Sequence, residues 1–223
     1  MSNLSAFDIL GPIMIGPSSS HTAGAVRIGN LVREIVGTKI KKANIYFHGS
    51  FKETYQGHGT DKAIIGGLLG LTTANSKIRN SFALARQAGI EFSFFPIDLS
   101  DVHPNTLKLE LFAQDEKKTV LIASSVGGGN IIVTELNGIK VKLKGEYYTL
   151  ITLHHDQPGI IARISEVLQQ YNLNIAEMEV LREHKGHLAT AIINLDQPAS
   201  EQVIELLTAI PDIETIKLVN PIA

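Results

Sequence analysis

Nine residues near the start of the chain, Gly16-Pro17-Ser18-Ser19-Ser20-His21-Thr22-Ala23-Gly24, gather hydroxyls and an imidazole in front of an apolar-periodic segment. Ala23, Val26, Leu31, Val32, Ile35 and Val36 recur with roughly 3.6-residue spacing and predict a helix, with Ser20 or Thr22 capping its first turn. A helix start carries unpaired N–H groups and the positive end of the dipole, which together favour a carboxylate or phosphate. One serine would suffice as a cap. The surplus hydroxyls of Ser18, Ser19, Ser20 and Thr22, beside the titratable His21, read as a site for a small anionic substrate with acid–base chemistry.

A second cluster, Gly57-His58-Gly59-Thr60-Asp61, leads into Ala63, Ile64, Ile65, Leu68 and Leu69, so Thr60 or Asp61 is predicted to cap another helix. His58 is the second candidate acid or base. Ser125-Val126-Gly127-Gly128-Gly129-Asn130 closes an apolar strand, and Gly127, Gly128 and Gly129 can turn backbone N–H groups toward a ligand or a neighbouring chain. His103-Pro104-Asn105 has the composition of an ordinary turn, and His48, which ends a strand, reads as a satisfied structural histidine.

The elements that must position these groups are legible around them. Strands are expected at 40–48, 90–95, 107–112 and 119–124, a third helix at 76–88 stopped by Gly89, and a hairpin turning at Asn137-Gly138. Lys144-Gly145-Glu146 reads as a hinge, which divides the chain into domains at 1–144 and 147–223. Beyond it the order is strand, helix, strand, strand, helix, strand, the ferredoxin-like βαββαβ arrangement. The fold class is therefore mixed α/β (α+β).

Composition excludes much. Twenty basic and twenty-two acidic residues leave a net charge of −2, too balanced for a nucleic-acid or membrane-surface protein. No apolar run approaches the roughly 20 residues of a membrane helix, and no leader pattern is evident, so a cytoplasmic protein is expected. The cysteine count of zero removes disulfides, thiolate nucleophiles and thiolate-bound metal from this chain, and the eight histidines show no metal-ligand spacing. A serine hydrolase fails for want of a nucleophile elbow and triad order.

Two resemblances sharpen the reading. Residues 147–221 resemble an ACT domain through Asp156-x-Pro158-Gly159 and Asn174-Ile175. That likeness implies dimerisation through sheet or helix edges and sensing of an amino acid or monovalent cation around Asp156, Pro158, Gly159 and Ile160. The segment before it resembles the beta portion of the iron–sulfur-dependent L-serine dehydratases, through Gly16 to Thr22, Gly57 to Asp61, His103 to Asn105 and Ser125 to Asn130. This second resemblance implies a 4Fe-4S cluster held by cysteines of a separate alpha subunit, and conversion of L-serine to pyruvate and ammonia. In that family the cluster acts as a Lewis acid on the serine hydroxyl while a base takes the α-proton. His21 and His58 are then base and substrate contact, in either order. Ser18, Ser19, Ser20, Thr22 and Thr60, with the Gly127 to Gly129 backbone, bind substrate. The competing reading is a regulatory subunit, related to the allosteric domains of phosphoglycerate dehydrogenases, that binds ligand and dimerises while a partner does the chemistry.

Overall fold

The computed structural model describes residues 12–182 and 184–222, in two compact units that divide between Lys144 and Gly145. In the first, β1 (Ile40–Gly49), β2 (Glu91–Pro96), β3 (Asn105–Ala113), β4 (Lys118–Gly127), β5 (Asn130–Leu136) and β6 (Ile139–Leu143) form one sheet in the order β2-β1-β3-β4-β5-β6. β1 and β2 are parallel and the remaining pairs antiparallel. A parallel pair needs a crossover, and this one carries α2 (Ser50–His58), α3 (Thr60–Leu68) and α4 (Ser81–Gln87). The remaining helix, α1 (Gly24–Val36), precedes β1.

Alternation decides which face is covered. Ala43, Ile45 and Phe47 of β1 and Leu107, Leu109 and Leu111 of β3 are buried, with α1 lying over β4 and β5 and α2 over β1 and β3. On β1's other face Tyr46 donates to Glu110 at 3.1 Å, and the Lys108 ammonium sits 5.4 Å above the Tyr46 ring.

Several expectations are corrected. The helix predicted over 76–88 begins as a 3₁₀ turn, Ser76–Asn80, because the Asn75 side chain accepts from Lys77 N at 2.9 Å, and α4 follows it. Residues 50–58, where no helix is expected from the sequence, are helical. Thr60 and Asp61 do not cap α3: that role falls to the Gly59 backbone, left-handed at φ 66°, with no side chain closing the turn. The hairpin is as expected, Asn137 and Gly138 taking φ of 50° and 86°.

The register gathers separated motifs at one end of the sheet. Gly49 pairs with Asn105, Thr106 with Ser124, and Gly127 with Asn130. Helices α1 and α3 meet backbone to backbone: a Cβ added to Gly29 would lie 2.6 Å from Ile64 O and 2.8 Å from Gly67 Cα, and one added to Gly67 would collide with Val26 O.

The second unit contains β7 (Tyr148–His155), α5 (Ile160–Gln170), β8 (Ile175–Arg182), β9 (Leu188–Leu195), α6 (Glu201–Thr208) and β10 (Ile213–Val219). Its sheet runs β10-β7-β9-β8, antiparallel throughout, which is the ferredoxin-like order expected. Ile164, Leu168, Val203 and Leu207 of the helices pack on Leu150, Ala191, Ile193 and Leu195 of the sheet.

The glycine contact sets a measurable cost. Replacing Gly67 by alanine forces backbone apart and is expected to destabilise the chain by about 1–3 kcal/mol. The check is a lower denaturation midpoint at unchanged slope.

Candidate functional site

The hydroxyl-rich segment does not begin the helix as predicted. Ser18, and neither Ser20 nor Thr22, is the cap: its backbone is extended and its Oγ accepts from His21 N at 3.2 Å. A five-residue π turn, Ser19–Ala23, follows and runs into α1. Wide turns of this kind recur at functional positions. The Gly16 backbone, at φ 133°, passes so near Thr22 that a Cβ would lie 2.5 Å from Thr22 Cγ2.

Both ring nitrogens of His21 are engaged. Nδ1 lies 3.2 Å from Ser20 Oγ and 3.4 Å from Ser18 Oγ, and Nε2 lies 3.0 Å from Ser50 Oγ. The fully buried Phe51 ring stands nearly perpendicular to the imidazole, at 5.2 Å between centroids. The His58 ring lies against it at 4.6 Å, tilted by 34°. Burial, and then the neighbouring His58 charge, hold the His21 pKa below the ordinary imidazole value.

His58 ends α2 and is held differently. Its Nδ1 is 3.3 Å from Thr54 O, and a carbonyl only accepts, so this nitrogen carries the proton and Nε2 carries the lone pair. The Thr22 hydroxyl donates to His58 O at 3.0 Å, tying the start of α1 to the end of α2. Thr22, expected to bind substrate, is thus spent on the scaffold.

Other expected donors lie apart. The Thr60 side chain is fully buried, and its hydroxyl has no hydrogen-bond partner among the described residues. Burial raises the Asp61 carboxyl above the usual carboxylate range, against the lowering effect of Lys62 N, which donates to it at 2.7 Å. Gly127, Gly128 and Gly129 all take positive φ, yet Gly129 is packed against protein: its O accepts from Arg27 Nη1 of α1 at 3.0 Å, and a Cβ on it would lie 2.8 Å from Pro12 Cδ, while Gly127 faces open space. The buried Ser125 Oγ sits where a side chain on Gly24 would be. His48 and His103 are structural, their Nδ1 atoms accepting from Leu99 N at 3.1 Å and Asn105 N at 3.0 Å.

Sequence reasoning missed Ser50. It stands 29 positions from His21, and its only signal was its place at the end of a strand in His48-Gly49-Ser50.

In the second unit Asp156 Oδ2 accepts from Arg182 Nη1 at 2.7 Å and from Gly186 N at 3.0 Å. Those bonds, the backbone one foremost, hold its carboxyl below the usual range. Pro158 and Gly159 are exposed, while Ile160 is a core residue. Among the described residues no group of three or more His, Cys, Asp or Glu is placed to hold a metal, and no helix is long and apolar enough to cross a membrane.

Comparison with known proteins follows this division. The serine dehydratase beta chain family is matched over residues 5–136 and the ACT domain over residues 148–212. The chain is 44% identical to the probable L-serine dehydratase, beta chain, of Bacillus subtilis, covering 94% of each chain. It is 36% identical to the L-serine dehydratase beta chain of Peptoniphilus asaccharolyticus, over 99% of this chain and 100% of that one. A similarity at 26% identity to the D-3-phosphoglycerate dehydrogenase of Methanocaldococcus jannaschii covers 92% of this chain and 39% of that enzyme.

The His21 environment has a pH consequence. With its pKa lowered in the fold, the unfolded chain binds the extra proton first, so His21's contribution is complete above the ordinary imidazole pKa and is lost as pH falls below it. Between about pH 7 and about pH 5 the denaturation midpoint is expected to drop, and H21N is expected to flatten that drop.

Proposed function

The chain belongs to the serine dehydratase beta chain family, and from that premise we propose that it supplies the proton-transfer half of an L-serine dehydratase site, with His58 as the base. The observation that carries this reading is the Thr54 carbonyl at His58 Nδ1, which leaves Nε2 as the proton acceptor. His21 has no such free nitrogen. In this reading it supports His58 instead of touching substrate.

A C–α proton is weakly acidic, so the base must be aimed and the substrate carboxylate fixed. The half-buried Ser18, Ser19 and Ser20 at the helix start offer hydroxyl and backbone donors for that carboxylate. His58 Nε2 then takes the α-proton of L-serine, and its Nδ1–H stays on Thr54 O while the imidazolium forms.

The 4Fe-4S cluster does not fit this chain: it has no cysteine, and the described His, Asp and Glu residues assemble no ligand set. The cluster therefore belongs with an alpha subunit in this reading, and departure of the serine hydroxyl lies outside the residues described. The product, aminoacrylate, hydrolyses to pyruvate and ammonia. The ACT unit would serve dimerisation and effector sensing in the cytoplasm, with Asp156 released from Arg182 when an amino acid or monovalent cation enters its loop.

A regulatory role without chemistry is favoured by one observation, the similarity to a phosphoglycerate dehydrogenase across both units. Reconstitution with the alpha subunit separates the two. H58Q is expected to lower kcat by roughly 10²–10⁴-fold while the chain's denaturation midpoint stays near wild type. Full turnover with only a changed effector response would establish the regulatory reading.

A further inference from the structure

The helix α2 is nine residues long, and each of its ends grips one imidazole. At its first residue Ser50 Oγ reaches His21 Nε2 at 3.0 Å, and at its last the His58 ring bonds to Thr54 O within the same helix. We propose that Ser50 is a positioning residue for the imidazole pair, fixing the His21 ring so that it backs His58 in one orientation. This rests on the reading of His58 as base.

The backbone around Ser50 is pinned for the purpose. Gly49 takes φ 56° and ψ −126°, and a Cβ there would lie 2.6 Å from Pro104 O, so glycine is required at the corner. Ser50 N donates to that same Pro104 O at 2.9 Å, and the Thr54 hydroxyl donates to Ser50 O at 2.7 Å. The turn His103-Pro104-Asn105 thus acts through a main-chain carbonyl. Position 50 cannot drift along β1 or α2, and its hydroxyl engages the remaining nitrogen of His21 while Phe51 packs perpendicular to the ring. Ser18 and Ser20 hold the opposite nitrogen, so removing Ser50 leaves the imidazole tethered on one side and free to rock against His58.

The test has two arms on the full-length chain. Nitrogen chemical shifts of histidine-labelled protein are expected to change at His21 in S50A and stay unchanged at His48 and His103, which report the fold. In the complex with the alpha subunit, S50A is expected to lose roughly 10²-fold in kcat with KM little changed, since the group touches the imidazole and not the substrate. S50T keeps the hydroxyl and is expected to restore both readouts. The proposal is overturned if S50A leaves the His21 nitrogens unmoved, or if S50T fails to recover what S50A loses. Retained turnover in H58Q would sink the base assignment separately, and the nitrogen shifts would still decide the role of Ser50.

Discussion

The close approach of α1 and α3 at Gly29 and Gly67 is the constraint from which the site follows. With glycine on both helices the main chains touch, and the residues leading into each helix are brought to one place. Ordinary side chains at the crossing would separate the axes toward the usual 8–10 Å. The 4.6 Å between the His21 and His58 rings does not survive such a shift, because each ring is anchored to the start or end of its own helix. The sheet supplies the second coordinate. Its register sets Gly49 against Asn105, which brings the Pro104 carbonyl to the corner where β1 becomes α2.

Within that frame the two histidines differ by hydrogen-bond saturation. His21 is satisfied at both nitrogens by three serines, is flanked by Phe51, and has its pKa lowered by burial and then by its neighbour's charge. His58 is oriented through one nitrogen, and the other remains available for chemistry. The arrangement has the logic of an imidazole aimed through one nitrogen so that the other can act. Asp156 in the second unit shows the opposite condition, its carboxylate already occupied by Arg182 and the Gly186 backbone.

Much of this was legible in the residues. The βαββαβ unit followed from the strand-length segments Tyr148 to His154 and Leu188 to Leu195, set off by the turns at Asp156 to Gly159 and Lys185-Gly186, and from the helical period of Ile160, Ile164 and Leu168, because turn chemistry and periodic burial are both written locally. His21 and His58 stood out because capping and turn formation do not need a titratable ring beside glycines and serines. What escaped has a physical reason. Helix α2 buries only Phe51 fully and contains Gly57, so it lacks the periodic stripe by which helices are recognised. Ser18 escaped as the cap because the apolar period starts only at Ala23, and the five-residue π turn Ser19–Ala23 places the true helix start well before it. The glycine loop and Thr60 looked like ligand donors by type, yet the loop braces α1 and Thr60 is enclosed. Ser50 was invisible because its partner is set by tertiary packing.

The central claim is that His58, and not His21, transfers the proton. Chemical rescue tests it directly: alanine is placed at each histidine in turn, the chain is reconstituted with the alpha subunit, and free imidazole is added. The account predicts that imidazole restores turnover to H58A in proportion to its unprotonated concentration and does nothing comparable for H21A. Rescue of H21A, with H58A unaffected, would contradict it.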